Sequence, residues 1–233
     1  MLKYLLLCLL MVGLTGPVWA QDGFVPQART LTFNVFDQSG KAFVNPSPDV
    51  AGTPFLANDW KYGTLVLNTS RRYDSVRIRL NLYSQQVHFL NSSNLEVALD
   101  KGYIKEVLLP DGKAGVTSGL HFQNGFPPVD EQDANNFYQV LVQGKMWLLL
   151  SIRKIVAQDK DEMAGEVRKE YKAYEDYYGY DGKTMQRIRK DKTFVENLLA
   201  DKKDKVEAFI VENKFKLRSI DEIRRVIEYY NTL

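Results

Sequence analysis

The chain has 233 residues, 45% hydrophobic and 26% charged, which is enough apolar material for one sizeable core and too much for a disordered chain. Its 31 basic and 29 acidic residues leave a formal charge of +2 and alternate closely, as in Asp201-Lys202-Lys203-Asp204-Lys205, which argues against a nucleic-acid partner. One cysteine, Cys8, excludes an intramolecular disulfide framework and a cysteine metal cluster.

Met1-Leu2-Lys3 makes a short positive start. Residues 4–14 form an apolar run, Gly16-Pro17 breaks it, and Val18-Trp19-Ala20 has the small-residue spacing of a cleavage site. This layout predicts a signal peptide over residues 1–20, cleaved after Ala20, and a periplasmic or secreted protein beginning at Gln21. The run is short for a lasting bilayer span. Cys8 lies inside it without a lipobox, so removal of the leader removes the only thiol. The apolar stretch 146–150 is soon followed by Arg153 and Lys154, and no transmembrane segment is expected in the mature chain.

Residues 21–189 read as a β-rich body. Leu31, Phe33 and Val35 alternate with polar or small residues before an Asp37-Gln38-Ser39-Gly40 turn. In residues 75–83 the period of two is clearest: Val76, Ile78, Leu80 and Leu82 take one face, Arg77, Arg79, Asn81 and Tyr83 the other. Residues 64–67, 87–90, 95–99 and 104–109 are further short strands, punctuated by turns at Asn68-Thr69-Ser70, 91–94 and Asp111-Gly112. Short strands with short links favour an antiparallel meander. Residues 137–142 and 145–155 form a strand pair around Gln143-Gly144. The unbroken Met146-Trp147-Leu148-Leu149-Leu150 suits a strand buried on both faces, although a helix has the same composition. Residues 159–166 are charged and suit a turn or an excursion. Tyr171, Tyr174, Tyr177, Tyr178 and Tyr180 admit a helical face, but Asp181-Gly182 followed by residues 183–188 favours a hairpin.

In residues 190–233 the period changes. Phe194, Val195, Leu198 and Leu199 share one helical face, and Val206, Phe209 and Ile210 another. Ser219-Ile220-Asp221-Glu222 has capping-box spacing ahead of Ile223, Val226, Ile227 and Tyr230. Helices this short need a surface to pack on. The expected class is therefore α+β, with an antiparallel, curved β-sheet body and a short helical C-terminal region packed on it.

The residue types restrict the chemistry. The mature chain keeps His88 and His121 and carries no HExxH, EF-hand, GxxxxGK[ST], GxGxxG or GxSxG motif, so neither a metal nor a cofactor is expected. His88, in residues 87–90, reads as a strand-surface or core-edge histidine. His121 lies in a Gly- and Pro-rich stretch, residues 118–128, that reads in part as a shaped loop. With Ser118 or Asp130 it is the candidate base of a hydrolase. Aromatic residues offer a binding surface instead: Trp60 and Tyr62 in the Asp59–Gly63 stretch, Phe126, and Tyr174 and Tyr178. For such aromatic residues the commoner role is to plug a core or form a structural surface.

Pro54-Phe55-Leu56 with Trp60 and Gly63, the stretch 137–141 with Gly144-Lys145, and the terminal Tyr229-Tyr230-Asn231 resemble uncharacterised exported proteins of Bacteroidetes-type bacteria. The resemblance implies an envelope setting and supplies neither a ligand nor catalytic residues. The leading expectation is a noncatalytic binding or protein-interaction module of the bacterial cell envelope, with an envelope protein or a lipid as partner. The alternatives are a hydrolase built on His121 with an acidic partner, and a lipid-binding protein with an apolar cavity in the sheet.

Overall fold

The computed structural model describes residues 49–110, 119–160 and 167–233. The leader, the strand expected at Leu31–Val35 with its turn, Ser118, and most of the charged 159–166 stretch lie outside the described residues.

Ten strands form one antiparallel sheet: β1 (Lys61–Leu67), β2 (Arg72–Asn81), β3 (Gln86–Leu90), β4 (Glu96–Ala98), β5 (Ile104–Leu109), β6 (Leu120–Gln123), β7 (Tyr138–Val142), β8 (Trp147–Lys160), β9 (Val167–Tyr180) and β10 (Met185–Arg187). Their spatial order is β10-β9-β8-β7-β6-β5-β1-β2-β3-β4. The class is the expected α+β, with an open antiparallel sheet and a helical C-terminal region. Of the stretch read in part as a shaped loop, residues 124–128 are irregular, whereas His121 itself lies in a strand. Leu120–Gln123 is strand β6, because Phe122 is needed in the core beside Val107, its register partner.

One connection sets the curvature. Residues 99–103 join β4 to β5, which lie four places apart in the sheet. At about 4.8 Å per strand, a flat sheet would need nearly fully extended chain to span that distance. Residues 101–102 instead form a turn, so this end of the sheet is strongly curled. The curl brings the end of β2 to the middle of β8, where the Lys154 amide donates to the Leu82 carbonyl at 3.0 Å.

Inside the curl lies the first core, built by the period of two. Val76, Ile78 and Leu80 of β2 face Val87 and Phe89 of β3, with Leu65, Ile104, Val107 and Phe122 closing the sides. Arg77 and Arg79 point the other way, as the alternation requires.

The second and third cores sandwich β8. Leu148 and Leu149 are both 0% exposed, one from each face of the strand. Leu148 packs with Met146, Ile188 and the helices, and Leu149 packs with Phe126, Tyr138, Tyr178 and Met185. The unbroken apolar run is thus a strand covered twice. Tyr180 pairs with Met185 across Asp181-Gly182, so the tyrosine-rich segment is the hairpin arm β9.

The helices are α1 (Lys192–Leu198), α2 (Lys203–Glu212) and α3 (Ile220–Tyr230), with a 3-10 turn at Ala200–Lys202. Asp191 caps α1 by accepting from the Phe194 amide at 2.8 Å. Ser219 caps α3 by accepting from the Glu222 amide at 3.3 Å, while Glu222 reaches back to the Arg218 amide at 3.2 Å. Val195, Leu199, Val206, Ile210, Ile223, Val226 and Ile227 are buried, so the helical periodicity marks the covered faces.

Candidate functional site

The structure brings Phe126, Asp130 and Tyr178, three of the residues singled out from sequence, to the sheet face away from the helices. The segment after β6 folds over β7, β8 and β9. Phe126 makes edge contacts with Tyr138, Trp147 and Tyr180 at centroid distances of 5.5, 5.9 and 5.2 Å. Under it runs a hydrogen-bonded chain. Ser151 Oγ donates to Gln132 Oε1 at 2.8 Å, Gln132 Nε2 donates to the Tyr178 hydroxyl at 2.9 Å, and that hydroxyl donates to Asp130 Oδ2 at 2.8 Å. Burial, and then the Asp130 hydrogen bond, push the Tyr178 hydroxyl well above its ordinary range. The Tyr138 hydroxyl is raised as well, by burial and by Asp130 and Asp133, and is buried without a hydrogen-bond partner among the described residues. Phe126 and Tyr178 are therefore buried: the loop needs an apolar plug and a polar tether, and they supply them.

His121 meets a different acid from the one its sequence neighbourhood suggests. Its Nε2 lies 3.2 Å from Glu106 Oε2 on the adjacent strand β5, whereas Asp130 is engaged by Tyr178. The register places His121 opposite Leu108 and Glu106 opposite Gln123, on the face opposite the buried Val107 and Phe122. A histidine–carboxylate contact is one element of general-base chemistry, and by itself it specifies no reaction.

Trp60 takes part in a cluster that only the register reveals. The Arg79 guanidinium lies between two rings, 4.0 Å from the Phe55 centroid and 4.2 Å from that of Trp60. Its Nη2 donates to both Glu96 oxygens at 2.7 Å, and Glu96 Oε1 also accepts from His88 Nδ1 at 2.7 Å. His88 is fully buried against the edge of Phe55, and burial lowers its pKa against the opposing pull of Glu96. Arg79 and His88 are cross-strand neighbours in β2 and β3, a pairing that linear spacing does not display. Tyr62, by contrast, is 65% exposed on the outer face.

Tyr174 lies on a projecting ribbon. The β7–β8 ladder ends at Tyr138 and Ser151, and the β9–β10 ladder ends at Tyr178. Beyond those points, residues 152–160 and 167–175 pair with each other as a two-stranded arm. A strap around residues 51–56 holds the arm from its root to its middle: Lys154 Nζ donates to the carbonyls of Thr53 and Phe55 at 2.8 and 2.7 Å, and Ala51 bridges β9 at Glu170, midway along the arm. On the arm's other face Tyr174 and Ile155 stand diagonally across the strand pair, 44% and 41% exposed, flanked by Arg153 and Lys172. Arg153 forms ion pairs with Glu131 at 3.4 Å and Asp176 at 3.5 Å, tying this face to the edge of the Phe126 loop.

A cleft of about 420 Å³ opens between the β9–β10 hairpin and the helices, lined by Asp181, Asn197, Asp201 and Tyr230 among others. Asp181 is held below the usual carboxylate range by the amides of Thr184 and Lys183, and burial with the Asp201 hydrogen bond pushes Tyr230 up to about 12. Among the described residues no group of three or more His, Cys, Asp or Glu is arranged to hold a metal ion, and no helix is long and apolar enough to cross a membrane. Compared with known proteins, the chain matches no family model, and neither a curated protein nor a solved structure is significantly similar to it.

Proposed function

We propose that the protein is a noncatalytic binding module of the bacterial cell envelope, exported behind a cleaved leader, that takes a protein partner on the free face of the β8–β9 ribbon. One observation carries this reading: Ile155 and Tyr174 stand exposed, side by side, on an arm that leaves the body. Exposed apolar groups rimmed by charge are the usual composition of a recognition patch, and an aromatic residue with a neighbouring arginine is the common anchor type. The signal-like pattern of residues 1–20 supports the exported setting of this reading.

The test uses the mature protein, starting at Gln21, as bait on envelope extracts of its own host, beside Ile155→Glu and Tyr174→Ala. Both side chains are too exposed to carry the core, so the variants should melt with the parent. A partner retained by the parent and lost by both variants supports the reading. Equal capture by all three proteins removes the ribbon from it. Turnover of a defined substrate that His121→Ala abolishes overturns it in favour of the hydrolase. A leader still attached to protein recovered from the host overturns the export step.

A further inference from the structure

We infer that an apolar cavity at the mouth of the curled sheet is a binding site for a small amphiphile, a hydrocarbon chain ending in a carboxylate. This site is separate from the ribbon and does not rest on it. The cavity, about 250 Å³, is walled by Leu56, Ile78, Leu80, Leu109 and Leu120, and its charged lining residues are Lys61, Asp59 and Arg79, the last already paired with Glu96. That volume lies below the roughly 300–1,000 Å³ of drug-sized sites, so it suits a single short chain and not a diacyl lipid.

Three features make it a built cavity. The first is the roof. Phe55 and Trp60 grip the Arg79 guanidinium on the outer face of β2, and Glu96 holds that guanidinium in turn. The chain between the two rings, which includes Leu56, Ala57 and Asp59 of the lining, is thereby pinned at both ends. Backbone bonds from Leu56 to Leu80 and from Leu82 to Pro54, at 2.8 and 2.9 Å, fix its start.

The second is Gly63. A Cβ there would lie 2.5 Å from the Leu108 carbonyl oxygen, 2.8 Å from Leu109 Cδ2 and 3.0 Å from Ile78 Cδ1, so any side chain would displace two residues of the cavity wall. Glycine at this position leaves those walls in place.

The third is the charge. Lys61 pairs with Ile78 across the β1–β2 ladder, so both side chains share the inner face of the curl. The alternation that puts Leu65 in the core gives this inner position a lysine. Among the described residues no salt bridge joins Lys61 to an acid, Asp59 included. An inward cation in the lining of an apolar cavity complements an anion whose tail fills that cavity. Asp59 in the same lining acts with the opposite sign.

The experiment titrates the mature protein with octanoate, octanol and octylammonium, following isotope-labelled methyl groups of Ile78, Leu80, Leu109 and Leu120 by NMR. Octanoate is expected to shift these methyls and to bind about fivefold more tightly than octanol, the scale of one partly screened charge contact. Octylammonium is expected to bind more weakly than either. Ala57→Phe, which fills the void, should abolish binding of all three. Lys61→Glu should remove only the preference for octanoate, and Asp59→Asn should strengthen it. If Ala57→Phe fails to fold, the ranking of probes on the parent and on Lys61→Glu decides the matter. No methyl shift with any probe, or equal binding of octanoate and octylammonium, overturns the proposal.

Discussion

The side-chain amide of Asn231 pairs with both backbone groups of Met146, accepting from its N–H at 2.9 Å and donating to its C=O at 2.8 Å. It thereby acts as one more residue of a β-ladder and fastens the end of α3 to the start of β8. A Cβ on Gly144 would run into that amide, which explains the glycine in the turn. Asn231→Ala removes both bonds and leaves two backbone groups to find other partners. It is expected to lower unfolding free energy by about 1–3 kcal/mol in urea titrations, and Gly144→Ala by a similar amount. Asn231→Asp keeps one acceptor but sets a carboxylate against the Met146 carbonyl, and is expected to be no better than alanine.

Lys154 holds the strap through the carbonyls of Thr53 and Phe55, and its partial burial lowers its pKa. Lys154→Met retains the apolar stem and loses both charge-assisted bonds. Its expected signature is local. Amide exchange should quicken at Leu56 and Leu82, whose hydrogen bonds tie the strap to the sheet, while Leu65 in the core stays protected until global unfolding.

His88 makes stability depend on pH in a definite direction. Burial lowers its pKa in the folded protein below the ordinary 6.5, in spite of Glu96 and with help from Arg79. The unfolded chain therefore takes up a proton first as pH falls. The stability associated with neutral His88 is complete above about pH 6.5 and is lost on acidification from there down to the folded pKa, at up to about 1.4 kcal/mol per pH unit. Denaturation midpoints measured between pH 7.5 and 5 should fall for the parent. The slope should be shallower for His88→Gln, although that variant starts from lower stability.

Gly63 tests the packing of the curl. A methyl group there would stand 2.5 Å from the Leu108 carbonyl oxygen as well as against Leu109 and Ile78, so either β1 and β5 separate or the cavity walls shift. Gly63→Ala is expected to destabilise by about 1–3 kcal/mol in thermal or urea unfolding, the range for overpacking.

Much of this architecture could be read from the linear pattern. The alternation around Ile78 and the helical spacing from Ile220 to Tyr230 reflect single-element periodicities, which survive in sequence because each side chain reports only which face it lies on. Strand β6 was illegible because two glycines and two prolines surround only four ladder residues, and Phe122 is its sole fully buried side chain. The candidate sites were harder to read, for a different reason. Arg79, His88 and Glu96 meet through the register of three strands, and the acid beside His121 comes from β5, fifteen positions upstream. Phe126 and Tyr178 stand out in the sequence as candidate binding aromatics, but an aromatic residue that plugs a core and one that awaits a ligand have the same sequence signature.

The double cover of Leu148 and Leu149 also bears on how the chain is made. The curl from β1 to β6 can close on neighbours already synthesised, whereas Leu148 waits for residues some 50 to 80 positions later in Val195, Val226 and Ile227. Until α3 emerges, the apolar start of β8 has one bare side. A message cut short before α1 would therefore yield a product that clumps instead of one that merely lacks a tail.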